Sequence, residues 1–416
     1  MSCLPEQMCG QDTDLLFSYP TTKFVRIQDR RLGLFKYAMT FLILGYVVVY
    51  QLAYQCMYLY QSGVAGAVRF TLQQPTQDGC DPTYAGCKNA FSNTGQLSYC
   101  TEDAGGLYPD GNKYGCEFFE NIGAQQVMDS SILIATRTTS YKQVLACNSS
   151  SEDNCPYVYN TTAQSTKYVV DAEQFTVLID HSVLASNIPS LQESSSAMSG
   201  RLLVNDNEQL CNEYKHVAYT TVYGDDKYEG SGDCYVAPNT TSRNLDYFSL
   251  DVLMRAAGTT LDSPNYGGET YRETGVTMLL KISYDNYEPW KGPRSIYYYY
   301  DPYLVSGSSY KYYDAVYSGP PHNYRKERTL LNKHGVYIQA VQQGSLRDFN
   351  FNNLLIQLTT SLTLFAVATV VTDFCAIYLL PDHEVYEAYK YELTEDFSDR
   401  RDQQDATAAA AAAAAA

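Results

Sequence analysis

The sequence predicts a membrane protein in which two transmembrane helices flank a large, disulfide-rich, mostly-β extracellular domain. Three observations predict this fold class. A long apolar stretch lies near each end of the chain, and cysteines and glycosylation sequons are concentrated between the two stretches. That middle region also contains several segments with the residue types and alternating pattern of β-strands. Together they indicate one domain on two membrane-crossing segments.

Each apolar stretch is long enough to cross a bilayer as a helix. The predicted organisation is a tail at residues 1–31, a transmembrane helix at 32–54, an extracellular domain at 55–352, a second transmembrane helix at 353–380 and a tail at 381–416. Residues 408–416 of the last tail are all alanine. We interpret that run as a placeholder for unassigned residues and assign it no chemistry.

Basic residues beside the first helix predict the orientation of the chain. Five of them lie within or just before its start: Lys23, Arg26, Arg30, Arg31 and Lys36. Basic flanks stay on the cytoplasmic side, so both termini are predicted to be cytoplasmic. A cleaved signal peptide fits less well, because the apolar run is longer than an h-region and no small-residue cleavage site follows it. We expect a multi-pass protein of the cell membrane, plasma or ciliary.

The middle region has the composition of an extracellular domain. Eight of the 12 cysteines lie there: Cys80, Cys87, Cys100, Cys116, Cys147, Cys155, Cys211 and Cys234. An even number suits an oxidising compartment, so we expect these cysteines to pair, with the connectivity left open. Three glycosylation sequons also fall in this region, at Asn148, Asn160 and Asn239.

Two classes of function are disfavoured by composition. A net charge of -17 argues against a nucleic-acid partner. The absence of close CxxC pairs and of histidine clusters among 5 histidines argues against a zinc site, so we expect no metal. Nothing in the sequence supports a cofactor or an enzyme, because nucleophile-elbow and phosphate-loop motifs are missing.

Individual elements of the middle region follow from local patterns. Alternation from Val276 to Ile282 predicts a long strand, and a second strand is predicted over Ser295–Tyr300, which ends in four consecutive tyrosines. Residues 190–199 are poor in apolar side chains and are predicted to form a loop. Asp246–Gly258 has an apolar face and a terminal glycine, which predict a helix.

Several strings resemble the ionotropic purinergic receptors, the trimeric ATP-gated cation channels. Tyr19, Thr21 and Lys23 match the Y-x-T-x-K motif of that family before the first helix. The second helix ends in Ala-Thr-Val followed by Asp373, as the family's ATV-x-x-D string does, and Phe175–Ile179 is similar to its F-T-x-L-I strand. These strings favour the purinergic family over the acid-sensing and epithelial sodium channels, which share the coarse topology.

The resemblance implies a homotrimer in membrane lipid whose three second helices line a pore for cations. By that alignment the constriction falls at Ile356, Gln357, Thr360 and Thr363. Polar side chains in this helix are costly against lipid, which favours a pore or a helix interface for them. Helix–helix packing through small hydroxyl residues is the alternative, and for Ser361 the two interpretations have equal support.

The nucleotide-binding positions depart from the family. Triphosphate is held in that family by lysines and an arginine, since a polyanion demands cationic partners. At the aligned positions this chain has Thr71, Gln73, Asp180 and Asn332, and the tyrosine run replaces an Asn-Phe-Arg segment. Thr176 is retained, and Arg69 and Lys333 are the basic residues nearby. ATP is therefore predicted not to bind at this site unless Arg69 and Lys333 substitute for the missing cations.

Three functions remain open. The first is a trimeric cation channel opened by another extracellular ligand, and the second is the same channel opened by ATP. The third is a non-conducting membrane anchor or accessory subunit whose extracellular domain binds a cell-surface assembly or another membrane protein. The abundance of tyrosine, 40 of 416 residues, fits such an interface but equally fits half-buried sheet surface.

Overall fold

A computed structural model of the protein describes residues 7–8, 11–12, 27–100, 115–147, 154–204, 233–236, 246–318, 324–390, 404 and 407. Tyr19, Thr21, Lys23, Asn148, Cys211 and Asn239 lie outside the described residues. The chain divides into two compact units, Met1–Tyr58 with Asn350–Ala416, and Leu59–Phe349.

The first unit contains two helices that are long and apolar enough to cross a membrane. The first spanning helix, Arg30–Tyr54, is α-helical to Gly45 and π-helical over Tyr46–Tyr54. The second, Phe351–Leu379, is α-helical to Phe374 and π-helical over Cys375–Leu379. The remaining elements are a hairpin of β1 (Gln7–Met8) and β2 (Gln11–Asp12), and a C-terminal helix, His383–Lys390.

Polar caps determine where both spanning helices begin. Asp29 precedes the first, and its carboxylate accepts a hydrogen bond from the Arg31 backbone N–H at 2.7 Å. Asn350 precedes the second, and its side-chain oxygen accepts from the N–H groups of Asn352 and Asn353. Each cap satisfies amide groups that the first helical turn leaves without an internal partner.

The second unit is built from fourteen strands and three short helices within its described part. The strands are β3 (Leu59–Gln73), β4 (Gly115–Glu117), β5 (Gln125–Met128), β6 (Ser131–Leu145), β7 (Tyr157–Val169), β8 (Thr176–Ala185), β9 (Ile188–Ser194), β10 (Ser199–Leu203), β11 (Asp233–Val236), β12 (Asp246–Ser249), β13 (Val276–Glu288), β14 (Gly292–Leu304), β15 (Lys311–Tyr317) and β16 (Glu327–Phe349). The helices are α1 (Asn121–Ala124), α2 (Leu250–Ala256) and α3 (Tyr271–Thr274). This mostly-β architecture confirms the predicted fold class of the domain.

Strand β16 pairs with four other strands of the sheet. Its first half pairs antiparallel with β6 and β15, and its second half pairs parallel with β13 and then antiparallel with β3. Along the sheet the strand order is β11-β10-β14-β13-β16-β3-β8-β12, with β7 beside β6 and β9 beside β8. Because β16 ends at Phe349 and the second spanning helix begins at Phe351, this strand leads directly into that helix.

The core lies beneath one face of these strands. Buried and half-exposed residues alternate along β13, so that Val276, Met278, Leu280 and Ile282 are each 1% exposed or less. This alternation was predicted from the sequence, because side chains of a strand point to opposite faces in turn. The apolar residues of β6, Ile132–Ala135, are buried as well, and this strand contacts β3, α1 and α3 besides its neighbours in the sheet.

One glycine allows β6 and β16 to approach closely. The register between them shifts at His334/Gly335. A Cβ atom on Gly335 would lie 2.0 Å from the carbonyl oxygen of Ile134, far inside van der Waals contact. No residue with a side chain fits there without moving one of the two strands.

Three disulfides join six of the eight cysteines that were predicted to pair. They join Cys80 to Cys87, Cys100 to Cys116, and Cys147 to Cys155. Each links residues close in sequence, so that local loops are closed rather than distant strands joined. Cys211 lies outside the described residues, and only the backbone of Cys234 is described.

Two local predictions were wrong. Residues 190–199 were expected to form a loop, yet β9 and β10 occupy most of that range, because pairing with β8 and β14 overrides low apolar content. Asp246–Gly258 was expected to be one helix. Its first four residues instead pair with β8 as β12, and helix α2 starts only at Leu250, after the Ser249 cap.

A buried arginine joins segments far apart in the chain. The Arg272 side chain is 1% exposed and binds both carboxylate oxygens of Asp262, at 2.7 and 2.9 Å. It also contacts Glu173 at 2.9 Å and lies 3.7 Å from the centre of the Tyr99 ring. The buried charge is thereby paired and hydrogen-bonded, as a folded protein requires.

Candidate functional site

The surface of the β3–β8 pair carries five of the residues assigned to the ligand. Arg69, Thr71 and Gln73 point away from the core, because they alternate with the buried Val68, Phe70 and Leu72. Across the antiparallel register, Asp180 lies opposite Arg69, and Thr176 lies opposite Gln73. Directly opposed residues share one face of a sheet, so these five side chains form one surface.

The arginine and the aspartate of that surface pair with each other. The Arg69 guanidinium lies 3.1 Å from the Asp180 carboxylate, with the side chains 72% and 41% exposed. The pair is worth little to stability at this exposure. The pair matters more for ligand binding. Arg69 is the one cation among these five side chains, and its charge is neutralised by Asp180, which stands where the purinergic family has a lysine.

Gln73 is engaged in local structure rather than open to a ligand. Its amide donates to the carbonyl oxygen of Cys80 at 2.9 Å, and more weakly to Thr76 and Gly79. These contacts hold the turn that the Cys80–Cys87 disulfide closes. Gln73 therefore stabilises the end of β3.

Asn332 and Lys333 lie on another part of the sheet and point to opposite faces of β16. Asn332 is opposite Thr139, and Lys333 is opposite Thr138, so the two side chains alternate across the strand. The Lys333 side chain is 10% exposed, and its ammonium donates to the Gly123 carbonyl at 3.0 Å and lies 3.7 Å from the Asp314 carboxylate. Lys333 therefore does not supply a cation on the face of β16 that carries the Asn332 side chain.

The tyrosine run of β14 alternates between core and surface. Tyr298 and Tyr300 are fully buried, whereas Tyr297 and Tyr299 are half-buried on the other face. The buried pair donates both hydroxyls to Asp246, a residue that the sequence did not single out. Four consecutive tyrosines on a predicted strand indicate that every second ring points into the core, where its hydroxyl needs a buried hydrogen-bond acceptor.

The predicted pore positions differ in how they are placed on the second spanning helix. The buried residues Ser361, Ala368 and Thr372 form one stripe, and the first spanning helix packs against this helix. At about 100° per residue, Ile356 and Thr363 lie on the side away from the stripe, Thr360 lies between the two sides, and the half-buried Gln357 lies beside the stripe. Ser361 lies on this stripe, where the helix-packing alternative would place it.

Hydroxyl groups of this helix are satisfied by its own backbone. Thr360 donates to the Ile356 carbonyl at 2.7 Å, and Thr363 donates to the Thr360 carbonyl at 2.7 Å. Such internal bonds lower the cost of placing threonine against lipid. The side-chain amide of Gln357 has more hydrogen-bonding groups than a hydroxyl, so it is the position of this set for which a polar surrounding matters most.

One motif residue and one sequon remain. Asp373, near the end of the second helix, forms an ion pair with Lys390 of the C-terminal helix at 2.9 Å. Asn160 lies on β7, and its side chain is exposed, as an acceptor of a glycan must be.

The chain is similar to known purinergic receptors. Residues 303–393 match the family model described as ATP P2X receptor. P2X receptor A of Dictyostelium discoideum is 29% identical over 391 residues, covering 93% of each protein. P2X receptor D of the same organism is 29% identical over 395 residues, covering 94% of this chain and 86% of the relative.

Solved structures of P2X receptors are also similar. An invertebrate P2X receptor from the Gulf Coast tick, solved with ATP and Zn²⁺, has a TM-score of 0.46 and 14% identity, covering 82% of this chain and 99% of that one. The chicken ATP-gated P2X7 receptor channel has a TM-score of 0.46 and 11% identity, covering 83% and 98%.

Proposed function

We propose that the chain is a member of the P2X receptor family, to whose model and relatives it is similar. Within that family we propose that it is a trimeric, ligand-gated cation channel that ATP does not open through the β3–β8 surface. Membership of that family implies a membrane protein that acts as a channel rather than an enzyme, and two helices of this chain are long and apolar enough to span a membrane. The family, the trimer, the ligand and the ion are the proposed parts. The single observation that carries the ligand proposal is the ion pair between Arg69 and Asp180.

The β3–β8 surface and its surroundings offer too few free cations to hold a triphosphate. Each charge-assisted hydrogen bond to a phosphate contributes roughly 1.5 to 3 kcal/mol, and a micromolar affinity amounts to about 8 kcal/mol. Thr71, Gln73, Asp180 and Asn332 supply no cation at four positions where the family has them. Neither candidate replacement compensates, because Arg69 is paired with Asp180 and Lys333 is buried against Gly123 and Asp314. Saturable ATP binding is therefore expected only at millimolar concentration or above.

The pore proposal uses the side of the second spanning helix that faces away from its packing stripe. In a threefold bundle this side, with Ile356 and Thr363 and with Thr360 at its edge, would surround the axis. Threonine hydroxyls present an oxygen lone pair even when their protons are bound to the backbone, so they can contact a passing hydrated cation. Basic residues before the first helix support cytoplasmic termini.

The binding experiment uses the full chain purified in detergent and radiolabelled ATP. We expect no saturable binding below millimolar concentration. The control is Arg69→Ala, which removes the cation and leaves Asp180 in place. Saturable wild-type binding in the micromolar range that Arg69→Ala abolishes would refute the ligand proposal, since it would show that Arg69 is free to bind phosphate. Patch-clamp recording of the same protein in liposomes, with candidate extracellular ligands, tests conduction separately.

A non-conducting anchor or accessory subunit is the second candidate. It is favoured by exposed tyrosines on β7 and β15, namely Tyr159, Tyr313 and Tyr317, each about half exposed. Internally satisfied hydroxyls on the second spanning helix also fit a bundle without water. Silence of the purified trimer under every applied ligand, together with binding of another membrane or cell-surface protein that Tyr313→Ser weakens, would favour this role.

A further inference from the structure

The turn between β13 and β14 carries the only tryptophan of the chain. Trp290 lies between Pro289 and Lys291, and all three residues are exposed, with 61% of the Trp290 surface open to solvent. A single exposed apolar side chain is common on protein surfaces. The conformation, the position and the surrounding charge of Trp290 distinguish it from such a case.

The turn holds Trp290 in an unfavourable backbone conformation. In this turn the Lys291 N–H donates to the Glu288 carbonyl oxygen at 3.2 Å. Pro289 occupies the second position, where its fixed φ fits. Trp290 occupies the third, with a φ of 69°, a left-handed conformation that glycine adopts at far lower cost than a bulky aromatic residue. Such an outlier is a reason to ask what the side chain it presents is for.

The turn lies at the end of the second unit from which both connections to the spanning helices leave. Strand β3 begins at Leu59 and β16 ends at Phe349, and these two residues are paired in the sheet. Strand β13 is parallel to β16, so it runs towards the same end and finishes there at Glu288. The second spanning helix begins at Phe351, so at most about 7 Å of chain separates it from the end of β16. Chain connectivity therefore brings the membrane surface close to this end of the unit.

Two hydrogen bonds fix the level of the turn along β16. The Asn286 side chain donates to the Arg347 carbonyl oxygen and accepts from the Arg347 backbone N–H, each at 2.8 Å. The Arg347 guanidinium also lies 3.9 Å from the centre of the Tyr287 ring. Asn286 is four residues before Trp290, which is up to about 13 Å of extended strand, whereas Arg347 is two residues, or about 7 Å, before the end of β16. The turn is thus long enough to extend past the last residue of β16.

Basic side chains surround the turn. Lys291 lies 3.0 Å and Arg294 lies 2.7 Å from the Glu288 carboxylate. The pKa of Glu288 is lowered, first by the hydrogen bond from Lys291 and then by the charges of Arg294 and Arg201. Three cations around one carboxylate leave a net positive charge here, in a chain whose net charge is -17. The turn therefore suits an anionic group such as the phosphate of a lipid.

An indole ring beside a lysine matches the headgroup region of a bilayer. The ring is apolar and its N–H is a hydrogen-bond donor, which is why tryptophan is enriched where membranes meet water. A lysine can extend its ammonium to the phosphates while its aliphatic stem stays beside the ring. The apolar surface of the turn is one ring and one proline, which is much less than a protein–protein interface buries. A lipid surface is therefore the better fit.

We propose that the β13–β14 turn is a membrane-interface anchor, in which the Trp290 ring inserts among lipid headgroups and Lys291 binds their phosphates. The anchor rests on the two long helices spanning a membrane, as in the proposed function, and is independent of conduction and of any gating ligand. Asn286 and Arg347 transmit its position to β16. The anchor would thereby hold the end of β16 at a fixed height above the bilayer.

The test is fluorescence quenching of the full chain in phosphatidylcholine liposomes, with excitation at wavelengths that tyrosine does not absorb. Since the chain has one tryptophan, the emission reports on Trp290 alone. Lipid that carries a quencher near its headgroup should reduce the emission roughly twofold, and lipid that carries it at the end of the acyl chain should reduce it less, because interfacial tryptophans lie at headgroup depth. Lys291→Glu, which replaces the cation with an anion, should weaken the quenching by headgroup-labelled lipid.

The matched control moves the tryptophan to the opposite end of β13. Tyr266 is 91% exposed and precedes the start of that strand at Val276, so the double variant Trp290→Phe with Tyr266→Trp should give an emission that neither labelled lipid quenches.

The anchor is refuted if headgroup-labelled lipid leaves the wild-type emission unchanged. Quenching by dissolved iodide would then place Trp290 in water, and protection from iodide would place it against another protein chain. Stronger quenching by the acyl-chain label would overturn the headgroup placement, and unchanged quenching of Lys291→Glu would overturn the phosphate contact. An absence of current in patch-clamp recordings would refute the channel function and leave the quenching result standing, so the two failures are distinguishable.

Discussion

Removal of the Arg272 guanidinium should destabilise the extracellular unit far more than the loss of an exposed arginine does. Arg272→Met keeps much of the side-chain volume, but it deletes two hydrogen bonds to Asp262, one to Glu173 and the contact with the Tyr99 ring. Removing one partner of a buried ion pair costs roughly 3 to 5 kcal/mol.

The magnitude is reduced by the exposure of the partners. The side chain of Asp262 is 51% exposed and that of Glu173 is 20% exposed, so water can partly solvate both carboxylates after the substitution. We therefore expect a loss of about 3 kcal/mol, at the lower end of that range. For a unit of this size the melting temperature should fall by roughly 5 to 10 °C.

The assay is thermal unfolding of the full chain in detergent, with Arg294→Met as the matched control. Arg294 is 46% exposed and pairs with Glu288 at 2.7 Å on the surface, so its loss should cost less than about 0.5 kcal/mol. Arg272→Lys should fall between, because an ammonium cannot bind both oxygens of Asp262 in the same plane. If Arg272→Met melts within about 2 °C of the wild type, the cluster does not stabilise the fold as argued.

Three further outcomes are expected. Thr71→Lys with Asp180→Asn adds one cation and releases a second, so affinity for labelled ATP should rise about 100-fold, and unchanged binding would exclude the β3–β8 surface as a nucleotide site. Burial lowers the pKa of His334 from 6.5 to about 4, so the unfolded state binds more protons between these values and stability falls as pH drops through that window. His334→Gln should remove about 1 to 2 kcal/mol of the loss between pH 7 and pH 4.5, after allowance for partial exposure, as measured by denaturant unfolding at both pH values. Gly335→Ala should cost more than about 3 kcal/mol in thermal unfolding because of its 2.0 Å approach to β6, whereas Gly63→Ala, with no neighbour within 4 Å, should stay within about 1 kcal/mol.

Local patterns were sufficient for the elements with strong periodicity. The alternation of Val276–Ile282 predicted β13, and the two apolar stretches predicted helices that the structure places at Arg30–Tyr54 and Phe351–Leu379. These succeed because hydrophobic period and length are properties of neighbouring residues. Asp246–Ser249 failed for the opposite reason, since pairing with β8, more than 60 residues earlier, outweighed its helical pattern.

In the candidate site, too, residue types were predictable from the sequence and long-range contacts were not. Residue types alone showed that Thr71, Gln73, Asp180 and Asn332 replace cations, but they could not show that Arg69 is already paired or that Lys333 faces away from Asn332. No local pattern connects His181 with Asp246, because the two residues lie on different strands and meet only in the folded core.

What the sequence determined by itself is the two membrane helices, the oxidised β-rich domain between them and the poverty of cations at the nucleotide positions. Each depends on composition or on short-range periodicity. What only the tertiary structure decided is which charges neutralise each other and which polar side chains share the core. Arg69 and Asp180 are 111 residues apart, and strand register, which depends on the whole sheet, brings them to 3.1 Å.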